Sequence, residues 1–299
     1  MTSYSRRAFL LGRSSVSSPW VRFIERLQVD LPGQVQPIEQ PDQEEPLPVT
    51  AGQARFVPQH SSNMHVAFLL AQHYDIHLGL WNPDYQYDED DGQQVLWLDP
   101  SALRRCDKLG EQERYYIEPG CTVAELVAAG LNQFAALPQE LRFIDWLSDP
   151  AYHHQQPLVA SGVQMASLVL ADCSVACLGP FSEDSTMSLN TPTLRRLVPE
   201  LFQLLETEVA QHCLQSPQWP AQFRLDALAA KEDINLAYLA LGQRQHLGWV
   251  EWVILDADHC KPARHQPKGQ QESQMQVWAD ELDGTVQRLF DPGGRFFIS

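Results

Sequence analysis

The apolar positions of this chain change period along its length, and the changes mark its elements. Around Trp20–Leu27 they fall on one side of an amphipathic helix. Residues 28–53 are rich in Pro, Gln and Glu, a composition that buries little apolar surface, and they read as a linker or extended arm. Order is expected from Ala54. Phe56-Val57-Pro58 reads as a short strand, and Ser61 or Ser62 can cap the helix that follows, because a serine oxygen accepts an orphan backbone N–H. Val66, Leu69, Leu70 and His73 recur at helical spacing, which predicts an amphipathic helix over Asn63–His73. Ile76–Leu80 is a second strand. A strand, helix and strand this close predict a small βαβ unit with parallel strands.

Val95–Leu98 and Tyr115–Glu118 are apolar enough for two further strands, and Pro119-Gly120 is a turn. Thr122 followed three residues later by Glu125 forms a capping box, ahead of a helix that buries Val123, Leu126, Val127 and Leu131. Leu141–Tyr152 is aromatic and acidic and matches neither period. Leu158–Leu170 reads as a small-residue segment with one glycine, then a helix. Thr193–His212 is a single amphipathic helix, with Pro217 and Pro220 breaking the pattern after it. Asn235–Leu241 is an apolar run before Gly242, and Trp249–Leu255 is the strongest strand of the chain, rich in aromatic and β-branched residues. Lys261–Gln274 reads as a polar loop, and Met275–Phe290 as a terminal helix stopped by Asp291-Pro292-Gly293-Gly294. The fold class is α+β.

Composition narrows the partners. The 299 residues carry 38 acidic and 21 basic side chains, a net charge of −17. That argues against nucleic acid, whose binding rests on phosphate neutralisation by Lys and Arg. No apolar run reaches the roughly 18 residues that a membrane span needs. The stretch Ser5-Arg6-Arg7-Ala8-Phe9-Leu10-Leu11 resembles a twin-arginine export signal, but Gly12, Arg13, Ser14 and Ser15 end its apolar run. A cytoplasmic location is therefore expected, with periplasmic export as the alternative. Six scattered cysteines are too sparse for a disulfide scaffold. Cys173 and Cys177 are spaced as on one helical face, without the partners that would complete a zinc set. No metal site is expected.

The order of elements resembles the FAD-linked oxidase family, the p-cresol methylhydroxylase or vanillyl-alcohol oxidase type, and most of all its compact glycolate oxidase accessory subunits. The resemblance runs over residues 54–299. Val57-Pro58 ends the opening strand, and Leu98-Asp99-Pro100-Ser101-Ala102-Leu103 matches a strand with an Asp-Leu-Ser-like turn. Glu118-Pro119-Gly120-Cys121-Thr122 matches a Pro-Gly turn before a helix. Gly242, Leu247-Gly248 and Val250 match a later glycine and strand, and Phe290-Asp291-Pro292-Gly293-Gly294 matches the C-terminal motif. The resemblance implies an FAD-binding type-2 fold, with two α/β subdomains around a cofactor crevice. Residues 1–53 would be the N-terminal arm, 54–140 the first subdomain and 141–299 the second, with no full substrate domain. It implies non-covalent FAD bordered by Pro119, Gly120, Thr122, Ser161, Gly162, Gly248 and Val250, and oxidation of a small hydroxy acid or alcohol beside a partner that is a complete flavoprotein or redox subunit.

Each of those residues also has a plainer reading: a capped strand-to-helix turn at 119–122, close packing at Ser161-Gly162, and strand entry at Gly248 and Val250. His153-His154 reads as a base or metal ligand, or as a surface pair in a loop. The chain also departs from the family. Where the family places a glycine-rich pyrophosphate loop, the window Gly79–Gly92 holds Asp84, Asp88, Glu89, Asp90 and Asp91. A carboxylate beside a phosphate costs about 4 kcal/mol per close pair at an effective dielectric of about 20. The second loop, Thr-x-Gly-Gly in the family, is reduced to Ala160-Ser161-Gly162. The catalytic residues are not legible. A non-catalytic pseudo-flavoprotein, kept as a scaffold or assembly partner, is the alternative to an active subunit.

Overall fold

A computed structural model describes residues 18–38, 49, 52–82, 93–181, 189, 191–229, 234–266 and 273–296. The chain opens with helix α1 (Pro19–Asp30), then strands β1 (Val35–Gln36) and β2 (Gln53–Phe56), helix α2 (Ser61–Tyr74), and strands β3 (His77–Leu80) and β4 (Val95–Leu98). These strands form one sheet in the order β1-β2-β4-β3. β4 is parallel to both β2 and β3, and β1 is antiparallel at the edge. The predicted strand–helix–strand unit exists, but its two strands are not neighbours, because β4 lies between them. The run Val-Leu-Trp-Leu explains that position: all four residues are buried, as a strand covered on both faces requires. Trp20, Phe23 and Leu27 of α1 pack with Met64, Phe68 and Ala71 of α2 over this sheet.

The second sheet contains β5 (Cys106–Lys108), β6 (Arg114–Ile117), β7 (Val163–Val169), β8 (Val175–Leu178) and β9 (Trp249–Asp256). Its order is β5-β6-β9-β7-β8, antiparallel throughout. Helices α3 (Val123–Ala128), α4 (Phe143–Ser148), α5 (Pro192–Leu205), α6 (Glu208–Leu214) and α7 (Ser273–Phe290) contribute to the core on this sheet. The architecture is the expected α+β, with one mixed and one antiparallel sheet. Glu251 of β9 ties the halves together: it accepts from Ser167 Oγ at 2.8 Å and meets His65 Nε2 of α2 at 2.9 Å.

Several expectations give way. The segment at 158–170 is a short 3-10 turn, Leu158–Ser161, followed by β7 and not a helix. A short apolar run carries no period that separates strand from helix, and pairing with β8 and β9 decides it. The helix read over 193–212 is two helices, α5 and α6, and Thr207 caps the second by accepting from Ala210 N. His60 and not a serine precedes α2, and its N–H donates to Asn63 Oδ1 at 2.9 Å. The arm read at 28–53 is partly built into the fold, since β1 pairs with β2 and Ile38 is buried. Cys173 lies in a turn at φ 66° and Cys177 in β8, so they share no helical face. The segment that matched neither period supplies Phe143, Trp146 and Leu147 to the core. The arginine pair near the N-terminus and the acidic run Asp88–Asp91 lie outside the described residues.

After α7 the Asp-Pro-Gly-Gly turn sends the chain back to the first sheet. Asp291 Oδ2 accepts from Phe296 N at 2.7 Å, and Leu78 N donates to Arg295 O at 2.9 Å. The tail thereby covers the free edge of β3, which would otherwise expose unpaired backbone groups.

Candidate functional site

The carboxyl ends of β2, β4 and β3 open on a cleft of about 760 Å³, where open α/β sheets commonly place ligands. Its floor is an ion-pair lattice. Asp99, directly after β4, is 1% exposed and accepts from Arg55 Nε of β2 at 2.7 Å and from Ser101 N at 2.9 Å. Arg142, just before α4, approaches Asp99 at 3.6 Å and holds Asp145 with two hydrogen bonds of 2.7 Å. The Arg142 guanidinium also donates to Trp81 O at 2.9 Å, and the Arg55 guanidinium lies 4.8 Å from the centre of the Trp81 ring. A charge as buried as Asp99 is tolerated only with such partners. The lattice fastens the ends of three strands to α4.

The opposite wall is the loop at 242–248. Gly242, Arg244 and Gln245 all have positive φ, at 71°, 48° and 62°. The latter two are non-glycine residues in a region that costs energy. Gln243 and Gln245 hold the loop: Gln243 Nε2 donates to Gly248 O at 3.0 Å, and Gln245 Oε1 accepts from Val250 N at 3.1 Å. His246 also lines the cleft. Burial, and secondarily the Arg244 charge, push its pKa down to about 4, so it is neutral near pH 7.

None of the seven residues named by the resemblance lines this cleft. Pro119 and Gly120 are buried, with Pro119 O accepting from Ile144 N at 3.0 Å and Gly120 N donating to Leu103 O at 2.9 Å. A Cβ on Gly120 would stand 1.9 Å from Pro100 O, so this glycine is required by the chain's own backbone. Thr122 caps α3, and its N–H donates to Glu125 at 2.8 Å. Ser161 Oγ donates to Leu158 O at 2.7 Å and accepts from Val163 N at 3.3 Å. Gly162, at φ 70°, closes the 3-10 turn against Asp256 O and Cys260. Gly248 lies against Val169 O, and Val250 pairs with Leu168 inside the sheet. Ser161-Gly162 adjoin the Asp256 end of β9 and Gly248 the Trp249 end, on the order of 20 Å apart along the strand. The seven do not converge on one point.

His153 is a core residue and not part of a surface pair. It donates from Nε2 to Trp146 O at 2.8 Å, and burial pushes its pKa down to about 4. Among the described residues no three His, Cys, Asp or Glu side chains come together as a metal set, and no helix is long and apolar enough to cross a membrane. Sequence reading missed Arg55, Asp99 and Arg142 as a unit, because nothing local links residues so far apart in the chain. The Asp-Pro-Ser turn after β4 was the one signal, and it marked a cap without revealing the ion pairs.

No known protein family matches the chain, and no curated protein matches it. Among solved structures it is similar to an alkyldihydroxyacetonephosphate synthase, at 10% identity and a TM-score of 0.45 over 81% of this chain and 41% of the other. It is also similar to wild-type BBE-like 1 of Physcomitrella patens, at 10% identity and 0.41 over 78% and 44%. BBE-like 28 of Arabidopsis thaliana matches at 13% and 0.38 over 78% and 39%. The chain spans less than half the length of each of these proteins. A likeness this distant does not extend to what those proteins do.

Proposed function

We propose that this chain is a pseudo-flavoprotein, a non-catalytic version of the FAD-linked oxidase fold that serves as a scaffold or assembly partner for a complete flavoprotein or redox subunit. One observation carries the reading. The turns that the resemblance assigns to FAD use up their own polar groups and close approaches: Gly120 against Pro100 O, Thr122 in its capping box, and Gly162 against Asp256 O. A diphosphate cradle needs backbone N–H groups left free and space where a Cβ would be. These turns offer neither. The cleft is lined by Asp99, Glu140, Asp145 and Asp149, and Arg55 and Arg142 are already engaged with two of those carboxylates.

The size and place of the cleft favour a second reading, an FAD-binding subunit of an oxidoreductase acting on a small hydroxy acid or alcohol. Non-covalent FAD would then accept the hydride; the resemblance would have Pro119, Gly120, Thr122, Ser161, Gly162, Gly248 and Val250 border it, although none of the seven lines this cleft. The absorbance of the purified protein separates the two. The scaffold reading expects a colourless protein that takes up no FAD on dialysis. A yellow protein whose colour bleaches on mixing with glycolate or lactate overturns it.

A further inference from the structure

The loop at 242–249 leaves two buried donors open. Gln245 is 5% exposed, and its Oε1 is fixed by Val250 N, which leaves its Nε2 as a donor without a partner among the described residues. Trp249 is 1% exposed, and its Nε1 has no acceptor among the described residues. Both residues line one small cavity of about 10 Å³, whose other walls are Leu78, Gly79, Leu80, Leu98, Arg244 and Phe296. Two unpaired N–H groups in such a setting are costly, and native proteins rarely keep them without an acceptor. The cavity shares Leu80 and Arg244 with the large cleft. Arg244 is exposed, and its guanidinium has no ion pair among the described residues. It is held there on a left-handed backbone at φ 48°.

The geometry points to an oxyanion subsite at the inner edge of the cleft, taking the carboxylate of a small organic acid. One carboxylate oxygen enters the cavity and accepts from Gln245 Nε2 and Trp249 Nε1, and the second stays at the cleft and pairs with Arg244. The cavity has room for about one oxygen-sized group, which suits a planar carboxylate better than a tetrahedral phosphate with three outer oxygens. Of the four carboxylates lining the large cleft, Asp99 and Asp145 are paired with Arg55 and Arg142, and none of the four lines the small cavity. None of these three residues is among the seven assigned to FAD, but Trp249 stands between Gly248 and Val250, so the test is made on flavin-free protein.

Flavin-free protein labelled with nitrogen-15 at tryptophan tests it directly. The Trp249 indole N–H signal is identified by its loss in Trp249→Phe. Titration with acetate or benzoate is expected to move that signal downfield in a saturable way, with inorganic phosphate much weaker. Arg244→Asn tolerates the left-handed backbone and removes the cation, so it should lose about tenfold in affinity, the size of one charge-assisted hydrogen bond. Gln245→Glu keeps the acceptor for Val250 N and puts a negative oxygen in place of the donor, so it should abolish the shift. No movement of the Trp249 signal with either acid, at concentrations where ionic strength alone is matched by chloride, overturns the subsite and leaves only an internal water. A shift that phosphate reproduces at equal concentration overturns the choice of carboxylate. A shift that survives Arg244→Asn and Gln245→Glu unchanged places the ligand elsewhere.

Discussion

The turn at 119–122 and the loop at 242–249 both border strands of the antiparallel sheet, and they treat their polar groups in opposite ways. In the turn, Gly120 N, Thr122 N and the Thr122 hydroxyl all find acceptors or donors within the chain, and no room is left for a side chain on Gly120. In the loop and the first residue of β9, two buried donors lack acceptors among the described residues, and two non-glycine residues sit at positive φ. Matching a motif shows where a fold turns. Unsatisfied groups and strain show where it has something left to bind.

The strongest way to break this contrast is to crowd the closed turn. Gly120→Ala brings a methyl group against a backbone carbonyl that no rotamer change can relieve, so a loss of roughly 3–4 kcal/mol is expected in urea unfolding. A variant as stable as the parent would show that the turn has slack. Acid gives an effect of nearly that size for each of two buried histidines. His153 and His246 are held neutral with pKa values near 4, whereas an unfolded histidine titrates at about 6.5. Between those values the unfolded chain binds more protons, so stability is fully present above about pH 6.5 and is lost as pH falls towards 4. Each group contributes about 3 kcal/mol across that window. Urea midpoints that do not move between pH 7 and 5 would contradict the burial of both rings.

The cleft floor comes next. Asp99→Ala strips Arg55 and Arg142 of their shared partner and should cost about 2–3 kcal/mol, while Thr122→Ala, which removes only a helix cap, should cost about 1 kcal/mol. A reversed order would show that the lattice is a surface feature. The smallest effect has the opposite sign. Arg244→Gly releases a left-handed backbone and should raise stability by up to about 1 kcal/mol. A loss in that variant would mean that the Arg244 side chain already has a partner.

Much of the frame was legible in the sequence. The β-branched run at 249–255 and the Thr122–Glu125 box each led to the element they announce. The helix at 61–74 was announced too, but on the wrong face: Met64, Ala67, Phe68 and Ala71 are its buried residues, and Leu69 is 56% exposed. β7 is not legible as a strand, because its apolar run is short and its partners, β8 and β9, lie outside the window that periodicity samples. The break between α5 and α6 has no proline or glycine and rests on the Thr207 cap and on Gln211 Nε2, which donates to Leu205 O at 2.8 Å. The cleft was not legible at all. Arg55, Asp99 and Arg142 come from three separate segments that meet only when β4 enters between β2 and β3. The donors of Gln245 and Trp249 become informative only once it is known that nothing accepts from them.

Hydrogen exchange at the two turns, with and without FAD, tests the central claim most directly. If the chain has filled its own flavin turns, the amides of Gly120, Thr122 and Gly162 exchange slowly without cofactor and show no added protection with it. Stoichiometric uptake of FAD with new protection at residues 119–122 and 161–163 would contradict the account.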